Sequence, residues 1–89
     1  LKPDKALNPD QYLSRWVPVF YGINPDERGY RKVCIHEIHR LTGISKNTIN
    51  TWGSMFENCP EHVRYTLKWV NDLNLIRELV PLKLDLPNE

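Results

Sequence analysis

The sequence predicts an all-α fold: a small bundle of four to five helices followed by an extended C-terminal arm. Three observations lead there. Helix-start signatures recur at Asn8-Pro9-Asp10, Asn24-Pro25-Asp26-Glu27 and Asn58-Cys59-Pro60-Glu61. Each sets proline at or next to a first helical position, where its missing N–H is harmless, and an acid in the positive end of the helix dipole. Apolar residues after each signature recur at intervals of three and four, the period of a buried helical face. Alternation of apolar and polar residues, the mark of a strand, occurs only in the tail Pro81-Leu82-Lys83-Leu84-Asp85-Leu86-Pro87.

In chain order, residues 1–7 carry proline and lysine and predict a loose N-terminus. The first helix starts at Pro9 and sets Leu13, Trp16 and Val17 on one face. Pro18 should end or kink it, with Val19-Phe20-Tyr21 continuing as an apolar turn or a second segment up to Gly22. Gly29 weakens a start at Pro25, so firm helix is expected from Tyr30 to Thr42. Tyr30, Cys34, Ile38 and Leu41 form its buried stripe, widened by Val33 and Ile35. A polar helix is expected from Lys46 to about Phe56. The last helix carries Val63, Leu67, Val70 and Leu73 on one stripe, with Trp69 and Ile76 beside it, and ends near Leu79 before Pro81. A lone strand cannot satisfy its own backbone groups, so residues 81–89 are expected to lie on the core as an arm or to pair with a second copy.

Eighty-nine residues make one domain, 1–89, and 40% apolar content is enough for a modest core. Leu1 in place of Met suggests a trimmed or processed chain. No apolar run approaches membrane-spanning length and there is no signal-peptide pattern, so no membrane partner is expected. Cys34 and Cys59 do not make a disulfide scaffold. They suggest reduced thiols and a cytoplasmic setting, nucleoid-associated if the chain is bacterial. The net charge of +1 is low for a nucleic-acid binder, but its distribution is uneven. Between Arg28 and Lys46 there are five bases (Arg28, Arg31, Lys32, Arg40, Lys46) and one acid, Glu37, and no further acid occurs before Glu57.

The most informative stretch is Cys34 to Trp52, CIHEIHRLTGISKNTINTW. An apolar helical stripe leads into Thr42-Gly43-Ile44-Ser45, and a short polar helix follows. Gly43 can take the positive φ that ends the first helix. Ile44 can plug the corner, and Ser45 can cap the second helix. Ile38, Ile44, Ile49 and Trp52 face inward. Ser45, Lys46, Asn47, Asn50, Thr51 and Ser54 are left outward. This is the pattern of a helix-turn-helix, whose second helix enters the DNA major groove. Lys46, Asn47, Asn50, Thr51 and Ser54 are the residues expected at the groove. Asn can bond N6 and N7 of adenine together, and Thr offers a methyl to thymine. Ser45, Arg40, Arg31 and Lys32 are expected at phosphates.

Residues Ile35 to Trp52 resemble the DNA-binding half of MerR-type and excisionase-like regulators. Those share the run I-x-E-[LI]-x-R-x-T-G-[VI]-S-x-x-T-[IV]-x-x-[WY], matched by Ile35, Glu37, Ile38, Arg40, Thr42, Gly43, Ile44, Ser45, Thr48, Ile49 and Trp52. Similar short matches occur in phage-repressor-like domains. The resemblance implies that Ser45, Lys46, Asn47 and Asn50 face DNA. The chain departs from the pattern at His39, where alanine is usual at a close helix crossing, and at Asn50, where an arginine is usual. Gly53 to Cys59 is too short for a hairpin wing, and about 30 residues precede the motif.

The expected function is sequence-specific binding of double-stranded DNA by a homodimer, as a transcriptional regulator or mobile-element accessory factor. The alternative is a protein-docking helix-turn-helix on a larger nucleoprotein assembly. Arg64 and Lys68 could add a phosphate contact, or their stems could cover core edges. Tyr12, Trp16, Phe20 and Tyr21 could form an aromatic docking surface or belong to the core. His36, Glu37 and His39 lack the H-E-x-x-H spacing of zinc proteases. Cys59, His62 and Cys34 could in principle add ligands, but Cys34 lies on the apolar stripe, and no metal or cofactor is expected. No nucleophile elbow, phosphate loop or isolated carboxylate pair is present, so no catalytic residue is expected.

Overall fold

In a computed structural model, residues 6–79 are described, and they are all helix, turn and loop with no strand among them. The order is α1 (Pro9–Tyr21), α2 (Tyr30–Thr42), α3 (Lys46–Asn50) and α4 (Glu61–Leu79). The arm expected over 81–89 lies outside the described residues, as does most of the N-terminus expected to be loose. Leu7, from that N-terminus, packs on the core and donates its N–H to the Arg64 carbonyl at 3.2 Å.

The first start signature works as its residues suggest. The Asn8 N–H donates to the Gln11 side chain at 3.1 Å, and Pro9 takes the first helical position. Pro18, expected to end or kink the helix, lies inside α1, which runs on to Tyr21. Proline forfeits only the bond to the Ser14 carbonyl. Ser14 is exposed, so water can take that place, and the ladder resumes with Gly22 N–H to the Pro18 carbonyl at 3.0 Å. The second signature makes turns, not helix: Asn24 N–H bonds the Glu27 carboxylate, and Gly29, at φ +89°, stands before α2.

The core gathers Tyr12, Leu13, Trp16 and Val17 from α1, Cys34 and Ile38 from α2, Ile49 from α3, and Val63 and Leu67 from α4. Trp52, Phe56 and Cys59 close it from the connection between α3 and α4. The hydrophobic term is concentrated in these large side chains, at roughly 25 cal/mol per Å² buried. α1 is the central element, packed on both α2 and α4, while α3 packs on α2.

Two corrections concern the later helices. The polar helix expected to reach about Phe56 stops at Asn50. The chain then turns through Gly53 at φ +99° and Phe56 at φ +58°, both in the left-handed region. A Cβ on Gly53 would run into the Glu57 carboxylate, which accepts from the Met55 N–H at 2.9 Å. This tight loop turns the Phe56 ring inward, a gain that a longer helix would give up. In α4 the stripe expected through Leu73 drifts. Leu73 is exposed, and the inward positions near the end of the helix are Asn71, Asn74 and Leu75. The partners explain it: the Trp16 indole N–H donates to Asn71 at 2.8 Å, and Asn74 reaches the Tyr12 hydroxyl at 3.5 Å. Buried polar groups on α1 need such partners.

The corner between α2 and α3 is closed by short bonds. Gly43, at φ +78°, donates its N–H to the His39 carbonyl at 2.8 Å. The Thr42 hydroxyl donates to the Ile38 carbonyl at 2.7 Å and accepts from the Ile44 N–H at 3.1 Å. Ser45 caps α3 by accepting from the Thr48 N–H at 3.2 Å. Ser45→Ala is expected to lower stability by about 1 kcal/mol, read by urea denaturation, with Ser45→Asp close to wild type.

Candidate functional site

α2 and α3 present their outer surfaces around one open groove of about 630 Å³. Arg31, Lys32, Val33, Ile35 and His36 line it from α2; Lys46, Asn47 and Asn50 line it from α3; Tyr21 closes one end from α1. No carboxylate is among these residues. Lys32, Lys46 and Asn47 are exposed, while Val33 and Ile35 are partly buried and give the groove apolar contacts.

The absence of negative charge has a structural cause at Glu37. It is the one acid between Arg28 and Phe56, and its side chain is fully buried. Its carboxylate accepts from the Tyr12 hydroxyl at 3.0 Å, from the Tyr21 hydroxyl at 2.6 Å, and from Arg40 Nε and Nη2 at 3.0 and 2.9 Å. Burial alone pushes this carboxyl up. The bonds from Arg40, Tyr21 and Tyr12, with the Arg40 charge, outweigh it and hold the group below the usual carboxylate range. Burial and the anion beside them push both Tyr12 and Tyr21 up, so they stay neutral donors. The carboxylate thus ties α1 to α2, and the surface from Arg28 to Phe56 carries no exposed acid.

The nine residues expected at DNA divide by what they already hold. Lys46 and Asn47 stand exposed at the start of α3, next to the capping Ser45. Lys32 stands across the groove on α2. Asn50 lines the groove, but its side-chain oxygen accepts from Arg31 Nη2 at 3.3 Å. Arg31 is engaged on several sides. It donates to the Ser54 carbonyl at 3.1 Å and the Asn50 carbonyl at 3.2 Å, and its guanidinium lies 4.6 Å from the Phe56 ring centroid. It fastens the chain that leaves α3. Arg40 is bound to Glu37 through two nitrogens, although half of its side chain stays exposed. Thr51 and Ser54, expected on the second helix, lie beyond it. Thr51 is the C-cap and returns its hydroxyl to the Thr48 carbonyl at 2.6 Å, and Ser54 sits in the following turn.

Sequence reasoning placed none of His36, Tyr21, Val33 and Ile35 in a groove: His36 was weighed as a metal ligand, Tyr21 as docking surface or core, and Val33 and Ile35 as part of the buried stripe. The signal for Tyr21 was faint, since only the buried Glu37 brings its hydroxyl to α2. His36 packs edge-on to the Tyr21 ring, centroids 6.1 Å apart. His39, the departure at the crossing, turns its ring to the corner with Nδ1 2.8 Å from the Ile44 carbonyl. A carbonyl only accepts, so Nδ1 carries the proton in this contact.

The other sequence candidates fall outside the groove. Lys68 pairs with Asp72 at 3.0 Å, and Arg64 donates to the Glu57 carbonyl at 2.8 Å. Tyr12 and Trp16 are core; Phe20 is partly exposed and stacks on Trp16 at 5.6 Å. Cys34 and Cys59 are free and buried, and burial pushes the Cys34 thiol up to about 11, so it is not a thiolate near neutral pH. Among the described residues no three His, Cys, Asp or Glu side chains converge as a metal site would need, and no helix is long and apolar enough to cross a membrane. Comparison with protein families, with curated proteins and with solved structures finds no match to this chain.

Proposed function

We propose that α2, the 43–45 corner and α3 work as a helix-turn-helix that binds double-stranded DNA in a sequence-specific manner, in the role of a transcriptional regulator or mobile-element accessory factor. The observation that carries this reading is the α2–α3 groove, whose lining holds cations and amides and no carboxylate. Lys32, Lys46, Asn47 and Asn50 meet there, and the one acid between Arg28 and Phe56, Glu37, is buried and paired with Arg40. A cationic groove lining attracts phosphates, while asparagine amides on a short helix offer the paired donor and acceptor that match adenine.

The groups differ in role. Lys32 and Lys46 hold phosphates. Asn47 reads a base edge. Asn50 reads one only by exchanging its bond from Arg31. Arg31 acts through position, by fixing the end of α3. With only five residues, α3 reaches few base pairs, so tight binding calls for two copies on paired half-sites.

The test is duplex titration across a salt series. Wild type is expected to lose affinity linearly in log–log form. Lys32→Ala and Lys46→Ala should each reduce the slope by about 0.9. A folded chain that binds no duplex at low salt contradicts the proposal.

A further inference from the structure

α4 is apolar on two opposite sides. One side carries Val63 and Leu67 into the core, and Asn71 and Asn74 toward α1. The other presents Trp69, Leu73 and Ile76 to solvent, 53%, 49% and 55% exposed. Surface helices ordinarily keep one apolar stripe and turn charged residues outward. Here the outer stripe is spaced four then three residues apart, the alternation of a seam that packs on a second helix by knobs into holes. α1 lies against the opposite side, through Trp16–Asn71 and Arg15–Glu78, so among the described residues no other helix covers the seam.

We propose that two copies of this chain pair in parallel along the Trp69, Leu73, Ile76 seam. The charges beside the seam choose both the occupant and its direction. In a parallel pair, the residue just before a seam position on one helix faces the residue five places later on the other. Those residues are Asp72 and Arg77, so the two-fold produces two equivalent Asp72–Arg77 bridges between copies. Within one chain Asp72 meets Lys68 at 3.0 Å, in a half-buried i,i+4 pair, and accepts from the Asn71 amide at 3.4 Å, so its carboxylate is shared. In an antiparallel pair like edges would meet. The Asp72 edge holds Tyr65, Asp72 and Leu79, and the Arg77 edge holds Val70 and Arg77. Neither edge supplies an opposite charge. The seam is on α4, whereas the α2–α3 groove is built without α4, so pairing leaves that groove free.

The pairing does not depend on DNA and is tested without it, by sedimentation equilibrium of the full chain. Wild type is expected to be a concentration-dependent dimer. Leu73→Glu should shift it to monomer with its helical circular dichroism intact, since Leu73 is half exposed. Ile76→Glu serves the same purpose if Leu73→Glu does not fold. Asp72→Arg and Arg77→Asp should each raise the dissociation constant by about two- to thirty-fold, and the double swap should restore it. A monomer at every concentration into the millimolar range overturns the proposal. Failure of the double swap to restore a dimer overturns the parallel arrangement.

Discussion

Replacing Glu37 with alanine is expected to lower stability by about 2–4 kcal/mol, and the melting temperature by about 4–8 °C for each kcal/mol. The carboxylate is fully buried and receives four hydrogen bonds, two from tyrosines and two from Arg40. Alanine leaves the buried Tyr12 hydroxyl with only the long contact from Asn74. The upper figures for broken buried ion pairs do not apply in full, because half of the Arg40 side chain faces water. Glu37→Gln keeps the shape and should cost about 1–2 kcal/mol. Its larger effect is on pH dependence. The folded carboxyl titrates below its unfolded value, so its contribution is complete above about pH 4.3 and is lost as pH falls through the lower folded pKa. Wild type should therefore lose stability across that acid window, whereas Glu37→Gln should show a flatter profile there. Chemical denaturation between pH 3 and 7, on the order of one point per half pH unit, reads both effects.

The second large effect is expected at Asn47. Asn47→Ala should reduce specific duplex binding by about 5- to 150-fold, the loss of one bidentate base contact at roughly 1–3 kcal/mol. It should leave nonspecific, salt-dependent binding in place. No hydrogen bond of the Asn47 side chain is present among the described residues, so stability should not change. Asn50→Ala is a mixed variant, because its side-chain oxygen accepts from Arg31. It should weaken specific binding and also loosen the turn after α3. The double variant should abolish specific binding while remaining folded. Electrophoretic competition between specific and random duplex separates the two components.

How much was legible in the sequence varies from element to element. The corner could be read directly, because Gly43 and Ser45 do jobs that few other residues do at those positions. The start of α1 and the bounds of α2 and α4 followed from proline, glycine and apolar spacing. Three features did not. Pro18 was read as ending or kinking the helix; α1 runs on through it to Tyr21, because the freed carbonyl is on the solvent side. α3 was drawn too long, because nothing local marks Phe56 for a left-handed turn that turns its ring inward. The direction of Leu73 was misjudged, since α4 has two apolar sides and the core side is decided by what Tyr12 and Trp16 need opposite them.

Glu37 shows the same limit at the candidate site. It stands three residues after Cys34 and four before Leu41, on the buried face of α2, so its position was visible. Its role depends on Tyr12 and Tyr21, 25 and 16 residues away, which come within reach only when α1 crosses α2. Arg31 and Arg40 were assigned to phosphates because exposed bases usually contact solvent or ligand. Their structural partners are a carbonyl pair, a ring and a carboxylate supplied by folding. Lys32, Lys46 and Asn47 were assigned from the same pattern, and they remain exposed at the groove.

The most direct test of the central claim is selection of bound duplexes from a random pool by the full chain at low salt, repeated with Lys46→Ala/Asn47→Ala. The account predicts enrichment of a short adenine-containing half-site by wild type, recurring with two-fold symmetry, and loss of that enrichment in the variant. A folded wild-type chain that enriches nothing over the input pool, or a variant that enriches the same sequence, contradicts it.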